Sequence, residues 1–117
     1  MNVLLATTHP DLRLSLELLL SEEPDVNVVG TVSESAGLLA LLHTAQPEIA
    51  ISDWELPGQP LVEILRETNQ STPQTKFIIL VENTDAACDA LNAGADAVAR
   101  KGEPPERLLN IFRALRI

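Results

Sequence analysis

The sequence is poor in aromatic residues, in basic residues and in cysteine, and each shortage closes off a class of function. Trp54, Phe77 and Phe112 are its only aromatics, so the core must come from the Leu, Ala, Val and Ile that dominate the 45% apolar share. A lone cysteine, Cys88, excludes an internal disulfide, and no Cys-x-x-Cys spacing is present to hold a metal. Eight Lys and Arg stand against seventeen Asp and Glu, for a formal net charge of −9. Grip on a phosphate backbone needs clustered cations, so direct contact with DNA or RNA is not expected. No apolar run is long enough to cross a bilayer, and Val3–Ala6 lacks the basic flank of a targeting segment. The expectation is a soluble, cytoplasmic protein without membrane contact. At 117 residues it has the length of one domain, taken as 1–117, with enough core to stand without a disulfide or structural metal.

What is present is an alternation of short apolar runs and longer segments of helical period, five times over. Asn2–Ala6 reads as a buried strand. Pro10 suits the first turn of a helix carrying Leu12, Leu16, Leu19 and Leu20, which Pro24 ends. Val26–Val32 is β-branched and strand-like, and Ser33 or Ser35 is placed to cap a helix with Leu38, Leu39, Leu41 and Leu42 inward. Glu48–Ser52 is the third strand, with Asp53 at its C-terminal end. Pro57-Gly58 marks a turn, and Pro60 opens a helix with Leu61, Ile64 and Leu65. The polar stretch Asn69–Thr75 reads as a loop before a strand at Phe77–Val81. An alanine-rich helix follows over Thr84–Ala93, closed by Gly94. Ala97–Arg100 is a short fifth strand, and Pro104-Pro105 starts a last helix with Leu108, Leu109, Ile111, Phe112 and Leu115 inward.

Strand then helix, repeated five times, predicts an α/β fold: a three-layer α/β/α sandwich around a five-stranded parallel sheet. Reactive groups in such a sheet belong at the C-terminal ends of the strands. That edge would gather Thr7, Thr8, Asp53, Val81, Glu82 and Lys101.

The segment Asp53-Trp54-Glu55-Leu56-Pro57-Gly58 resembles the stretch after the third strand of response-regulator receiver (CheY-like) domains. Gly94–Lys101 followed by Pro105-Glu106-Arg107-Leu108-Leu109, together with His9-Pro10, is most similar to regulators of the NarL and LuxR type. The resemblance covers essentially the whole chain. It implies strand order 2-1-3-4-5, with Asp53 as candidate phosphoryl acceptor and a histidine kinase or an output domain as partner. Regulators of that subgroup continue into a DNA-binding domain.

The sequence also departs from the family. Members hold Mg²⁺ through two acidic residues after the first strand, a donor set that suits a hard cation. Here those positions are Thr7 and Thr8. With Asp53, the backbone carbonyl of Glu55 would supply only part of a weak metal site. Val81 stands where the family places a hydroxyl, Val98 where it places a switch aromatic, and Leu61 where it commonly has glycine. Asp53 and Lys101 alone remain of the reactive set. Two readings follow. One is an atypical, non-enzymatic receiver that signals by protein–protein contact without Mg²⁺-dependent aspartyl phosphorylation, and so without a cofactor. The other is a conventional receiver phosphorylated at Asp53, with Glu55 or Glu82 compensating for the missing acids. A flavodoxin-like cofactor binder is a third class, but Ala6–Pro10 has no glycine with which to wrap a phosphate.

Cys88 is expected to be a small buried hydrophobe, and Trp54 a partly exposed aromatic beside Asp53. The last two helices and the strand between them form the expected interface. Along it Arg100, Arg107, Arg113 and Arg116 stand against Asp85, Asp89 and Asp96, around Val98, in a pattern suited to a homodimer.

Overall fold

The computed structural model describes residues 1–116. Five strands and five helices alternate: β1 Asn2–Ala6, α1 Pro10–Ser21, β2 Asn27–Val32, α2 Ser35–Ala45, β3 Ile49–Asp53, α3 Leu61–Ser71, β4 Lys76–Val81, α4 Thr84–Asn92, β5 Ala97–Arg100 and α5 Pro105–Leu115. All four strand pairings are parallel and the order is β2-β1-β3-β4-β5. Side chains alternate across a strand, so each central strand feeds two cores. Leu4, Ala6, Ala50, Phe77, Ile79 and Val81 pack with Leu38, Leu42, Ile64, Leu65 and Ala90 beneath α2, α3 and α4. Val3, Leu5, Ile49, Ile51, Ile78 and Leu80 pack with Leu16, Leu20 and Phe112 beneath α1 and α5. β3 is buried along its whole length, as a central strand covered on both faces must be.

Several local expectations are corrected. Asn69, Gln70 and Ser71 belong to α3, and the loop begins at Thr72. Thr68 is buried and gives the helix a fourth inward position after Leu61, Ile64 and Leu65. The Ser71 hydroxyl then donates back to the Glu67 carbonyl at 2.9 Å. Neither serine caps α2. The N-cap is Glu34, without a side-chain bond. Ser35 is buried, and its hydroxyl donates to the Gln59 carbonyl at 2.6 Å while its N–H donates to Pro57 at 2.9 Å. This serine pins the β3–α3 loop, where Gly58 sits at φ 105° against the Ser35 side chain. Cys88 is exposed, because Ala90 with Ala86 and Ala87 takes the inward positions of α4. Gly94, at φ 111°, closes that helix as expected.

Candidate functional site

Parallel strands bring Thr7, Asp53, Val81 and Lys101 to one edge of the sheet, around the last residue of β3. Asp53 has no solvent-exposed surface. An ionised carboxylate only accepts hydrogen bonds, and its two oxygens are served differently. Oδ2 accepts from the Thr7 hydroxyl at 2.8 Å and from the Thr8 N–H at 3.1 Å. Oδ1 lies 3.2 Å from Lys101 Nζ. That contact is close enough for an ion pair but is not aligned as a hydrogen bond, which leaves Oδ1 without a directed donor. Lys101 is itself mostly buried, its N–H donates to the Val81 carbonyl at 2.8 Å, and its ammonium lies 3.9 Å from Glu82 Oε1.

Local sequence explains the β1 side of the pocket. Thr7 is buried at the end of β1, and its hydroxyl oxygen accepts from the His9 N–H at 3.2 Å while its proton goes to Asp53. That turn leads straight into Pro10 and α1. The pocket therefore closes as a neutral unit: one buried carboxylate, one ammonium and two neutral donors. Buried charge is tolerated where it is paired in this way.

The residues do not fit a divalent cation of the kind the family resemblance implies. The Thr7 hydroxyl, where an acidic ligand would stand, is neutral, donates its proton to Asp53 and has its oxygen engaged by the His9 N–H. Thr8 and Glu55 point to exposed positions. Glu82 is 70% exposed and already leans toward Lys101. Among the described residues no three His, Cys, Asp or Glu side chains gather into a metal-binding group. Val81 is buried and gives no side-chain donor to the pocket. Trp54 is half-buried beside Asp53, and with Glu55, Val81, Glu82 and Lys101 it lines a recess of about 40 Å³.

Several of the residues expected to form one interface on α4, β5 and α5 have partners within the chain. Asp96 accepts from the Phe77 N–H at 2.8 Å and so fixes the start of β4. Arg107 pairs with Glu103 at 2.8 Å. Arg113 pairs with Glu23 at 2.7 Å, and Arg116 donates to the Pro24 carbonyl at 3.0 Å, so both clamp α5 to the turn between α1 and β2. Val98 packs half-buried against the core, Arg100 is exposed, and Asp89 faces α3. Sequence reasoning missed the Asn83 cap of α4, whose Oδ1 accepts from the Ala86 N–H at 2.8 Å. The Asn-Thr-Asp run before the alanines was its signal.

Comparison with known proteins agrees with this geometry. The model of the response regulator receiver domain matches residues 3–113. The nitrate/nitrite response regulator protein NarL of Escherichia coli K12 is 28% identical over 109 residues, covering 92% of this chain and 50% of that protein. The DNA-binding transcriptional activator DevR/DosR of Mycobacterium tuberculosis is 32% identical over 101 residues, covering 85% of this chain and 46% of that protein. The chain thus spans about half the length of the curated relatives it matches. Among solved structures, the isolated receiver domain of RcsB from Salmonella enterica superposes with a TM-score of 0.89 at 24% identity, over 99% of this chain and 88% of that one. That likeness carries the fold. No helix of the described residues is long and apolar enough to cross a membrane.

Proposed function

The chain belongs to the response regulator receiver domain family of two-component signalling, and from that premise we propose that it is an atypical receiver, signalling by protein–protein contact without Mg²⁺-dependent phosphorylation of Asp53. One observation carries this reading: the Thr7 hydroxyl and Thr8 N–H occupy Asp53 Oδ2 while Lys101 neutralises the carboxylate. Phosphoryl transfer relies on a cation to neutralise charge on the moving group, and this pocket is already balanced without one. The domain then works in the cytoplasm as a non-enzymatic signalling module, with a kinase, an output domain or a second copy as partner.

The conventional reading has one observation in its favour. Asp53 Oδ1 has no aligned hydrogen bond, so one oxygen of the acceptor is held by charge alone. On that reading Asp53 is phosphorylated and controls a DNA-binding output.

The two separate in a titration with Mg²⁺ and then beryllofluoride, a phosphoryl mimic, followed through Trp54, the only tryptophan. The contact reading expects no saturable change in fluorescence or in amide NMR shifts at millimolar Mg²⁺. A saturable response that disappears in Asp53→Asn overturns it in favour of the conventional receiver.

A further inference from the structure

An open groove of about 580 Å³ lies between α3 and α4. Trp54 closes one end of it and also walls the recess beside Asp53. Asn69, Gln70 and Asn92 line the groove with carboxamides, and Arg66 and Asp89 lie on opposite walls. Gly94 shapes its far end: a Cβ there would come within 2.5 Å of the Asn69 carboxamide nitrogen. Asp85 and Asp89 are exposed one helical turn apart on α4, which sets them on one face. Neither has an ion-pair partner among the described residues, and neither does Arg66.

We propose that this groove docks a basic, extended or helical segment of a partner protein. The proposal rests on the contact reading above and names the surface through which contact is made. Carboxamides carry both a donor and an acceptor, which matches the alternating N–H and C=O groups of a peptide backbone. The indole offers an apolar ledge for one aliphatic side chain. Charge selects the occupant. Arg66 is the one cation of the lining; against it Asp85, Asp89 and Glu55, exposed and without ion-pair partners among the described residues, make the α4 rim acidic on a chain of net charge −9. That field opposes a nucleic acid, an anionic ligand or a second copy of this chain, and attracts a cationic segment.

The probe is a synthetic amphipathic peptide with Lys at i, i+4 spacing and Leu beside it; a copy with Glu for each Lys is the control. Binding to the full chain is followed by Trp54 fluorescence and amide NMR at about 0.15 M salt, where the screening length is about 8 Å. The Lys peptide is expected to bind saturably, with shifted amides at Trp54, Arg66, Asn69, Asp89 and Asn92, and the Glu peptide not to bind. The double variant Asp85→Asn/Asp89→Asn should weaken binding about tenfold, and Asp11→Asn/Glu22→Gln, exposed acids on and just after α1, by less than about twofold. No binding, equal losses in the two double variants, or shifts centred on α1 or α5 would overturn the groove assignment. None of those results touches the contact reading, which stands or falls on the separate Mg²⁺ and beryllofluoride titration of Asp53.

Discussion

In the pocket at the strand ends the buried Asp53 and Lys101 are paired with each other, whereas Arg66 and Asp89 in the α3–α4 groove, and Asp85 one turn from Asp89 on α4, have no ion-pair partner among the described residues. The two regions meet at Trp54 and differ in burial. Asp53 is fully buried, and a charge out of water must be paired and hydrogen-bonded or it neutralises. Asp85 and Asp89 are exposed, so water serves them and no internal partner is required. On the contact reading, the position where a receiver does its chemistry serves as part of the scaffold. The surface that scaffolding would normally leave inert holds the charges still free to recognise something.

The strongest way to break this contrast is to remove the ammonium from the pocket. Lys101→Met leaves a buried carboxylate with two neutral donors and no counter-charge, and should cost about 3–5 kcal/mol in urea unfolding. The double variant Asp53→Asn/Lys101→Met should recover much of that, because no buried charge is left unpaired. If Lys101→Met unfolds at the same urea concentration as the parent, Asp53 is not the buried charge its geometry describes.

A second test converts the pocket back toward the family's donor set. Thr7→Asp/Thr8→Glu places two carboxylates beside Asp53, an oxygen cluster suited to a hard divalent ion. Without metal the variant is destabilised by crowded negative charge. With Mg²⁺ at a hundred times its dissociation constant, stability should return by about 2.7 kcal/mol. The parent should unfold identically with and without Mg²⁺. A parent that gains as much from Mg²⁺ as the variant would mean that Thr7 and Thr8 were never the reason for the difference.

The order of elements and the strand-end cluster were legible because both depend on patterns of period and punctuation. Asp53, Thr7, Thr8 and Lys101 could be assembled from four separate segments once the parallel sheet was inferred. The direction of the Thr7 hydroxyl was not legible: a threonine beside a carboxylate can donate or solvate, and the His9 N–H bound to its oxygen decides the matter. The partners of the α5 arginines within the chain were not legible for a related reason. Arg113 on α5 and Arg116 at its C-terminal cap lie at the surface, as sequence assigns them, but their partners Glu23 and Pro24 come from a turn 90 and 92 residues away in sequence. Cys88 went wrong because its place on the helix was not weighed: it falls three or four residues from Thr84, Asp85 and Asn92, on the polar face of α4 and away from Ala86, Ala87 and Ala90.

The smallest expected effect sharpens the comparison most. Asp85 and Asp89 are like charges at i, i+4, a spacing that destabilises a helix by about 0.2–0.5 kcal/mol. Asp85 also stands in the first turn of α4, where the helix dipole favours a carboxylate by about 0.3–1 kcal/mol, so the two terms oppose and replacing both by Asn is expected to change stability by less than about 1 kcal/mol. In the pocket, removing one partner of the Asp53–Lys101 pair unfolds the protein more easily; in the groove, removing two charges does not. The fold holds Asp85 only through the helix dipole and gives Asp89 no ion-pair partner among the described residues, so a partner-binding loss in that same stable variant would locate their use in recognition. A marked loss of stability instead would show that they are held by contacts within the fold, and the groove would lose its claim to free charge.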